Sequence, residues 1–271
     1  MEKKDLRSLT IEEMTELAES MGQKTFRGKQ LFEWIHKKQV ENLEEISNLP
    51  KAFLEPLQEN YMVSGVALVK KQMSKAGDTA KYLFSLADGN LIESVWMKYK
   101  HGNSVCISSQ VGCRMGCRFC ASTLDGLVRG LTPSEMLDQI YRIQTISGER
   151  VDNIVIMGSG EPMDNFQNVV QFLKLINSDK GLHISARNIT VSTCGLVDKI
   201  RELADLQLQI TLAISLHAPN DELRKTMMPI ANKYSIEQIM EACRYYLKQT
   251  GRRISFEYLS LIHISEPTRR S

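Results

Sequence analysis

The chain has 271 residues, 42% hydrophobic and 24% charged, a globular composition that excludes a mainly disordered protein. Lys and Arg total 34 against 32 Asp and Glu, so with a net charge of +2 any affinity for a polyanion must come from local clusters. No apolar run approaches the ~18 residues of a membrane span, and the start MEKKDLRSLT lacks a signal peptide's apolar core, so the expected location is cytoplasmic.

The first stretch, 1–60, reads as a small helical domain. Thr10 stands three residues before Glu13 as a capping box requires, and Ile11, Met14, Leu17 and Met21 mark one face before Gly22 stops the helix. A second helix is predicted over 28–38 with Leu31, Trp34 and Ile35 inward, and Pro50 opens a third carrying Phe53, Leu54 and Leu57. Lys24, Arg27, Lys29, Lys37 and Lys38, interleaved with Phe26 and Trp34, read either as a solvated helix face or as an RNA-binding patch.

The pattern changes over 61–99 to a β-rich segment. Strands are predicted at 66–69, 82–86 and 91–96, with Asp88-Gly89-Asn90 as a hairpin turn. From 100 to 258 strands alternate with helices: strands at 105–108, 153–157, 188–192, 209–216 and 253–258, helices at 133–146, 165–177, 197–206 and 236–248. That alternation implies an α/β protein of parallel βα units, in an open sheet or a barrel. In both, chemistry collects at the carboxyl ends of the strands. Five such strands without a closing sixth leave an exposed sheet edge.

Of six cysteines, Cys113, Cys117 and Cys120 fall within one loop, Gly112-Cys-Arg-Met-Gly-Cys-Arg-Phe-Cys120, just past the first parallel strand. Three thiolates on one loop can hold three irons of a [4Fe–4S] cluster and leave the fourth iron open. Zinc is the alternative, but it wants a fourth ligand, and neither His101 nor Cys106 lies at finger-like spacing. Cys106, Cys194 and Cys243 are dispersed and read first as small buried hydrophobes. Three more patches end successive strands: Met157-Gly-Ser-Gly160-Glu161-Pro162, Ser192-Thr193 and Ser215-Leu216-His217. Glycines let backbone approach a ligand and Glu161 can accept from an ammonium group, although each patch alone also reads as an ordinary βα loop.

The three-cysteine spacing, with Phe119 before the last thiol, resembles the radical S-adenosylmethionine enzymes. The resemblance implies a partial (β/α)6 barrel, a [4Fe–4S] cluster and S-adenosyl-L-methionine as cofactors, and reductive cleavage of the sulfonium to a 5′-deoxyadenosyl radical. It narrows at Phe26-Arg-Gly-Lys-Gln-Leu-Phe-Glu-Trp-Ile35, Glu93-Ser-Val, Val105-Cys-Ile-Ser-Ser-Gln-Val-Gly-Cys113, Gly158-x-Gly-Glu-Pro162 and Ser215-Leu-His-Ala-Pro219. These look like the RlmN/Cfr family of bacterial dual-specificity RNA adenine methyltransferases, with the similarity running through about residue 258. That family methylates carbon 2 of an adenine in large-subunit ribosomal RNA and in tRNA, fed by an electron donor such as flavodoxin. The resemblance makes Cys113, Cys117 and Cys120 cluster ligands. It makes Gly160, Glu161, Ser192, Ser215, Leu216 and His217 cofactor contacts, Glu93 the proton acceptor, and Cys106 the thiol that releases a covalent RNA adduct through a disulfide.

One departure matters. The family carries the methyl group on a cysteine beyond the fifth strand, and no cysteine follows Cys243 here. The expectation is a chain truncated at its carboxyl end, with a non-native tail over 259–271 that resembles translated sequencing-adaptor read-through, able to assemble a cluster but not to methylate. Two other readings stay open: a related carbon-8 adenine methyltransferase, and a non-catalytic RNA-binding protein with a structural metal.

Overall fold

A computed structural model describes residues 3–259; the tail expected to be non-native lies, from residue 260, outside the described residues. Lys4–Asp5 forms a short strand β1, and Thr10 opens α1, Ile11–Ser20. The Thr10 hydroxyl accepts from the Glu13 N–H while the Glu13 carboxylate accepts from the Thr10 N–H, as the capping box predicts. Helix α2 covers Thr25–His36 rather than 28–38. Gly28 is not its start but the point where it crosses α1: a Cβ there would lie 2.5 Å from the Met14 carbonyl oxygen. Helix α3, Lys51–Asn60, begins behind Pro50 and leads into β2, Tyr61–Met62, which pairs with β1.

The next three strands, β3 (Ala67–Met73), β4 (Thr79–Ser85) and β5 (Leu91–Tyr99), form an antiparallel meander. Rather than standing apart, it joins the main sheet, because β5 pairs with β6, Gly102–Ile107, which also opens the parallel series. Two short strands, β7 (Gln110–Gly112) and β8 (Leu127–Gly130), bracket the cysteine loop and were not predicted. Then come α4 (Pro133–Ser147), β9 (Asn153–Ile156), α5 (Phe166–Asn177), β10 (Ile189–Thr193) and α6 (Val197–Asp205). The series closes with β11 (Thr211–Ser215), α7 (Asp221–Met227), α8 (Ile236–Thr250) and β12 (Ile254–Glu257).

The eight-stranded sheet runs β3-β4-β5-β6-β9-β10-β11-β12. From β6 onward each parallel strand is laid beside its predecessor, with no reversal of order. Right-handed crossovers in one direction put every helix on one face, which is barrel topology and not the doubly wound open sheet. Alternation along the strands agrees. Val105, Ile107, Ile154, Ile156, Ile189, Val191, Leu212 and Ile214 are wholly buried, while the intervening row Cys106, Val155, Thr190 and Thr211 faces the other side.

Among the described residues β12 pairs only with β11, and its Phe256 is exposed. The N-terminal helices share one apolar core with the barrel, running from Leu6 and Phe32 to Val105 and Tyr246. A buried ion pair between Arg7 and Asp138 and a 3.0 Å contact between His36 Nδ1 and the Tyr141 hydroxyl pin them to α4. No helix among the described residues is long and apolar enough to cross a membrane.

Candidate active site

The cysteine loop begins where β7 ends. The Cys113 N–H donates to the Gly126 carbonyl (2.9 Å), and the Cys120 N–H donates to that of Cys117 (3.0 Å). The Thr123 hydroxyl donates to the carbonyls of both Cys117 and Cys120. Two further ties fix the loop against its neighbours. Arg114 pairs with the buried Asp164 carboxylate, and the Arg118 N–H donates to the Met227 carbonyl (2.9 Å) at the end of α7.

Opposite the loop, the turn after β9 is held by Gln110. Its amide oxygen accepts from the Glu161 N–H (2.8 Å) and its amide nitrogen donates to Asp164 (3.0 Å). Gly160 has φ +105, and a Cβ there would lie 2.5 Å from the Gln110 Cβ, so only glycine fits this approach. The Glu161 carboxylate is 4% exposed and accepts from the backbone N–H groups of Met163 (3.0 Å) and Cys194 (2.8 Å). Burial pushes its pKa up and these donors pull it back.

The strand ends complete the ring. Cys113, Cys117, Cys120, Gly160, Glu161, Ser192, Ser215 and His217 all line one cavity of about 320 Å³ at the carboxyl ends of the parallel strands. His217 holds a left-handed φ of +57, accepts the Leu259 N–H at Nδ1 (3.2 Å) and stands edge-on to Phe119. Leu216 does not line the cavity; its N–H donates to the Glu257 carbonyl and its own carbonyl accepts from Arg224.

Glu93 and Cys106 also lie outside the cavity lining. Cys106 faces Val95 of β5 across the ladder, and Glu93 sits two positions from Val95, which puts Glu93 and Cys106 on the same sheet face. Glu93 is exposed and pairs with Lys81 at 2.5 Å. Burial raises the Cys106 thiol pKa.

Several cavity residues escaped the sequence reading. Glu257 ends β12 and accepts from the hydroxyls of Ser215 (3.0 Å) and Ser192 (3.4 Å). Its signal was available, since it ends the fifth strand as Ser192 and Ser215 close the third and fourth. Cys194 and Met228 line the cavity too, as does Thr193 of the Ser192-Thr193 pair. Cys194 is more than the small hydrophobe expected, because its N–H donates to the Glu161 carboxylate (2.8 Å) and it lines the cavity. Cys243, by contrast, is buried in the apolar core on α8.

The thiols fit an iron–sulfur group. Burial and repulsion between neighbouring thiolates push Cys117 up to about 11 and raise Cys113, so a cationic group that draws off these two protons relieves that repulsion. They share one cavity, yet among the described residues no three His, Cys, Asp or Glu side chains converge on a single ion. Three soft donors around a common space suit a polynuclear cluster better than one zinc ion.

Comparison with known proteins agrees with the geometry. Residues 107–266 match the Radical SAM superfamily, and residues 4–63 match the ribosomal RNA large subunit methyltransferase N-terminal domain. A probable dual-specificity RNA methyltransferase RlmN from Lachnospira eligens is 64% identical over 94% of this chain and 73% of its own length. One of the same description from Lachnoclostridium phytofermentans is 57% identical over 95% of this chain and 72% of its own. The crystal structure of a radical SAM methyltransferase from Sphaerobacter thermophilus superposes with a TM-score of 0.87 at 37% identity, covering 94% of this chain and 76% of that one. A partial barrel of sequential parallel strands, a three-cysteine loop at their carboxyl ends and these matches converge: the chain belongs to the RlmN family of radical SAM RNA methyltransferases.

Proposed function

We propose that this chain is built to methylate carbon 2 of an adenine in large-subunit ribosomal RNA and in tRNA, with a [4Fe–4S] cluster and S-adenosyl-L-methionine. The observation that carries the reading is the shared cavity, where the three-thiol loop faces Gly160, Glu161, Ser192, Ser215 and His217. Cys113, Cys117 and Cys120 are the cluster ligands in this reading. When bound, cluster and cofactor supply one-electron reductive cleavage of the sulfonium.

The chain's own residues do the rest. Glu161, fixed by two backbone donors, keeps its remaining lone pairs for an ammonium group, and the buried Ser192 and half-buried Ser215 hydroxyls offer further polar contacts. The Gly160 backbone lets the ligand lie close. On the adjoining sheet face, Glu93 accepts a proton while Lys81 keeps its carboxylate in place. Burial holds the Cys106 thiol up. In this reading it attacks the sulfur of the thioether that joins base and protein, closing a disulfide with that second cysteine, while the electron pair of the broken C–S bond and a proton pass to the methyl carbon. No cysteine after Cys243 is present here to supply that second sulfur.

RNA reaches this face over residues 1–60, which act as the accessory RNA-binding domain, and over the segment 61–99, with 100–258 as the catalytic core. The Arg27 guanidinium lies 4.8 Å from the Phe26 ring and the Lys38 ammonium 3.2 Å from that of Trp34, giving paired cation and stacking surfaces. A small cytoplasmic electron carrier such as flavodoxin is the expected reductant.

Anaerobic reconstitution with iron and sulfide tests the cluster. The unsubstituted chain should gain cluster absorbance and cleave the cofactor, and Cys113→Ala, Cys117→Ala or Cys120→Ala should abolish both. A triple variant that still cleaves the cofactor overturns the reading. For the target atom, the chain joined to the part of the Lachnospira eligens relative that it does not match is assayed on ribosomal RNA fragments and tRNA. Nucleoside analysis should show 2-methyladenosine, and 8-methyladenosine instead overturns carbon-2 specificity.

A further inference from the structure

Of the seven residues of α7 only Arg224 is buried, and it is wholly so. Arg7 is nearly as deeply buried but has the Asp138 carboxylate beside it. Arg224 has only carbonyl oxygens: Nε donates to Leu216 (3.1 Å), and Nη2 donates to Cys194 (2.6 Å) and Ser215 (3.4 Å). Its Nη1 is buried with no partner among the described residues. A guanidinium taken from water without a counter-ion is strongly disfavoured unless an anion comes to it.

The cysteine loop docks at this spot. The Arg118 N–H donates to the Met227 carbonyl, the Met228 N–H donates to that of Arg224 (2.8 Å), and Met228 packs with Cys117 and Cys194. The fork of Arg224 thus ties the ends of β10 and β11 together from behind, and the field of its charge reaches Cys117 and Cys194. Reduction adds one more negative charge to a group already anionic from three thiolates, and buried net charge is a main control of such potentials.

We propose that Arg224 is a positioning residue whose buried charge, held by the strand-end carbonyls, balances the anionic cysteine loop and favours its one-electron reduced state. This rests on the cluster reading above, and the two fail differently. An unsubstituted chain that assembles no cluster overturns both, whereas a normal cluster indifferent to Arg224 overturns this proposal alone.

The test is a redox titration of the reconstituted chain, without S-adenosylmethionine, followed by the paramagnetic signal of the reduced cluster. At fixed potential Arg224→Gln should lower the reduced-to-oxidised ratio by about tenfold, 59 mV for one electron, while Arg224→Lys should stay within about threefold of the unsubstituted chain. An unchanged ratio in Arg224→Gln, or equal shifts in both variants, overturns the proposal. Should Arg224→Gln fail to hold a cluster, Asp221→Asn reads the same charge from its other side. Asp221 is the carboxylate whose field reaches Arg224, so its removal should raise the ratio by about twofold, and an unchanged or lowered ratio overturns the proposal.

Discussion

Glu161 concentrates the residue-scale argument. Its two backbone donors come from the turn after β9 and from the end of β10, so the carboxylate both bridges two strand ends and faces the cavity. Glu161→Gln keeps the size but removes the charge and sets an amide N–H against one of those donors. A charge-assisted hydrogen bond contributes about 1.5–3 kcal/mol, so S-adenosylmethionine affinity should fall by roughly tenfold or more. RNA affinity should not change, because the patch around Phe26 and Trp34 belongs to another element. Equilibrium binding of both ligands checks it, and unaltered cofactor affinity would leave Glu161 a purely structural bridge. The sequence pointed to Glu161 through the glycines beside it, but not to Glu257 or Arg224. Glu257 has no glycines beside it and only its place at the end of the fifth strand could have marked it, and Arg224 sits in a run of charged and polar residues where burial is the last thing composition suggests.

Elements with an apolar stripe and a cap were legible within a few residues, including α1, α4, α8 and all five parallel strands. Helix α7 was missed because its only buried member is an arginine, so no apolar period marks it, although Asn220 caps it through the Leu223 N–H. Strands β7 and β8 are too short for alternation to show. The packing of α2 on α4 was likewise invisible, since it depends on His36 meeting Tyr141 across 105 positions. That contact has a pH signature. Burial and the nearby Arg7 charge depress His36 to about 3, whereas an unfolded chain protonates it near its ordinary 6.5. Below that pH the unfolded state binds the extra proton, so the stabilisation present above 6.5 is lost as pH falls toward 3, by up to about 1.4 kcal/mol per pH unit. Asp138, raised by burial, acts in the opposite sense and cannot mimic the loss. Thermal midpoints measured from pH 7 to 4.5 should drop steeply in the unsubstituted chain and more gently in His36→Gln; parallel slopes would rule His36 out.

At the scale of the whole molecule, the strand ends gather the groups proposed to face the cofactor into one cavity on one side of the sheet. Every proposed cluster and cofactor residue precedes β12, and they meet in one cavity apart from Leu216, which braces it through its backbone. In the proposed reading methyl transfer needs a thiol free to approach both the cofactor and the base, and the surroundings of the two dispersed cysteines other than Cys106 do not suit them to it. Cys194 lines the cavity, but its thiol is held protonated, its pKa raised well above the ordinary value by burial and the neighbouring Glu161 carboxylate. Cys243 is locked in the core of α8, also pushed up to about 11. The 271-residue polypeptide, reconstituted anaerobically and supplied with RNA, should cleave S-adenosylmethionine and leave adenosine unmethylated. It should also self-associate, because among the described residues β12 pairs on one side only and Phe256 on it is exposed. Cofactor cleavage, nucleoside analysis and sedimentation of the same preparation check the three statements together. Multiple-turnover methylation would mean that Cys194 or Cys243 leaves its buried site to carry the methyl group, and Cys194→Ala and Cys243→Ala would then identify which.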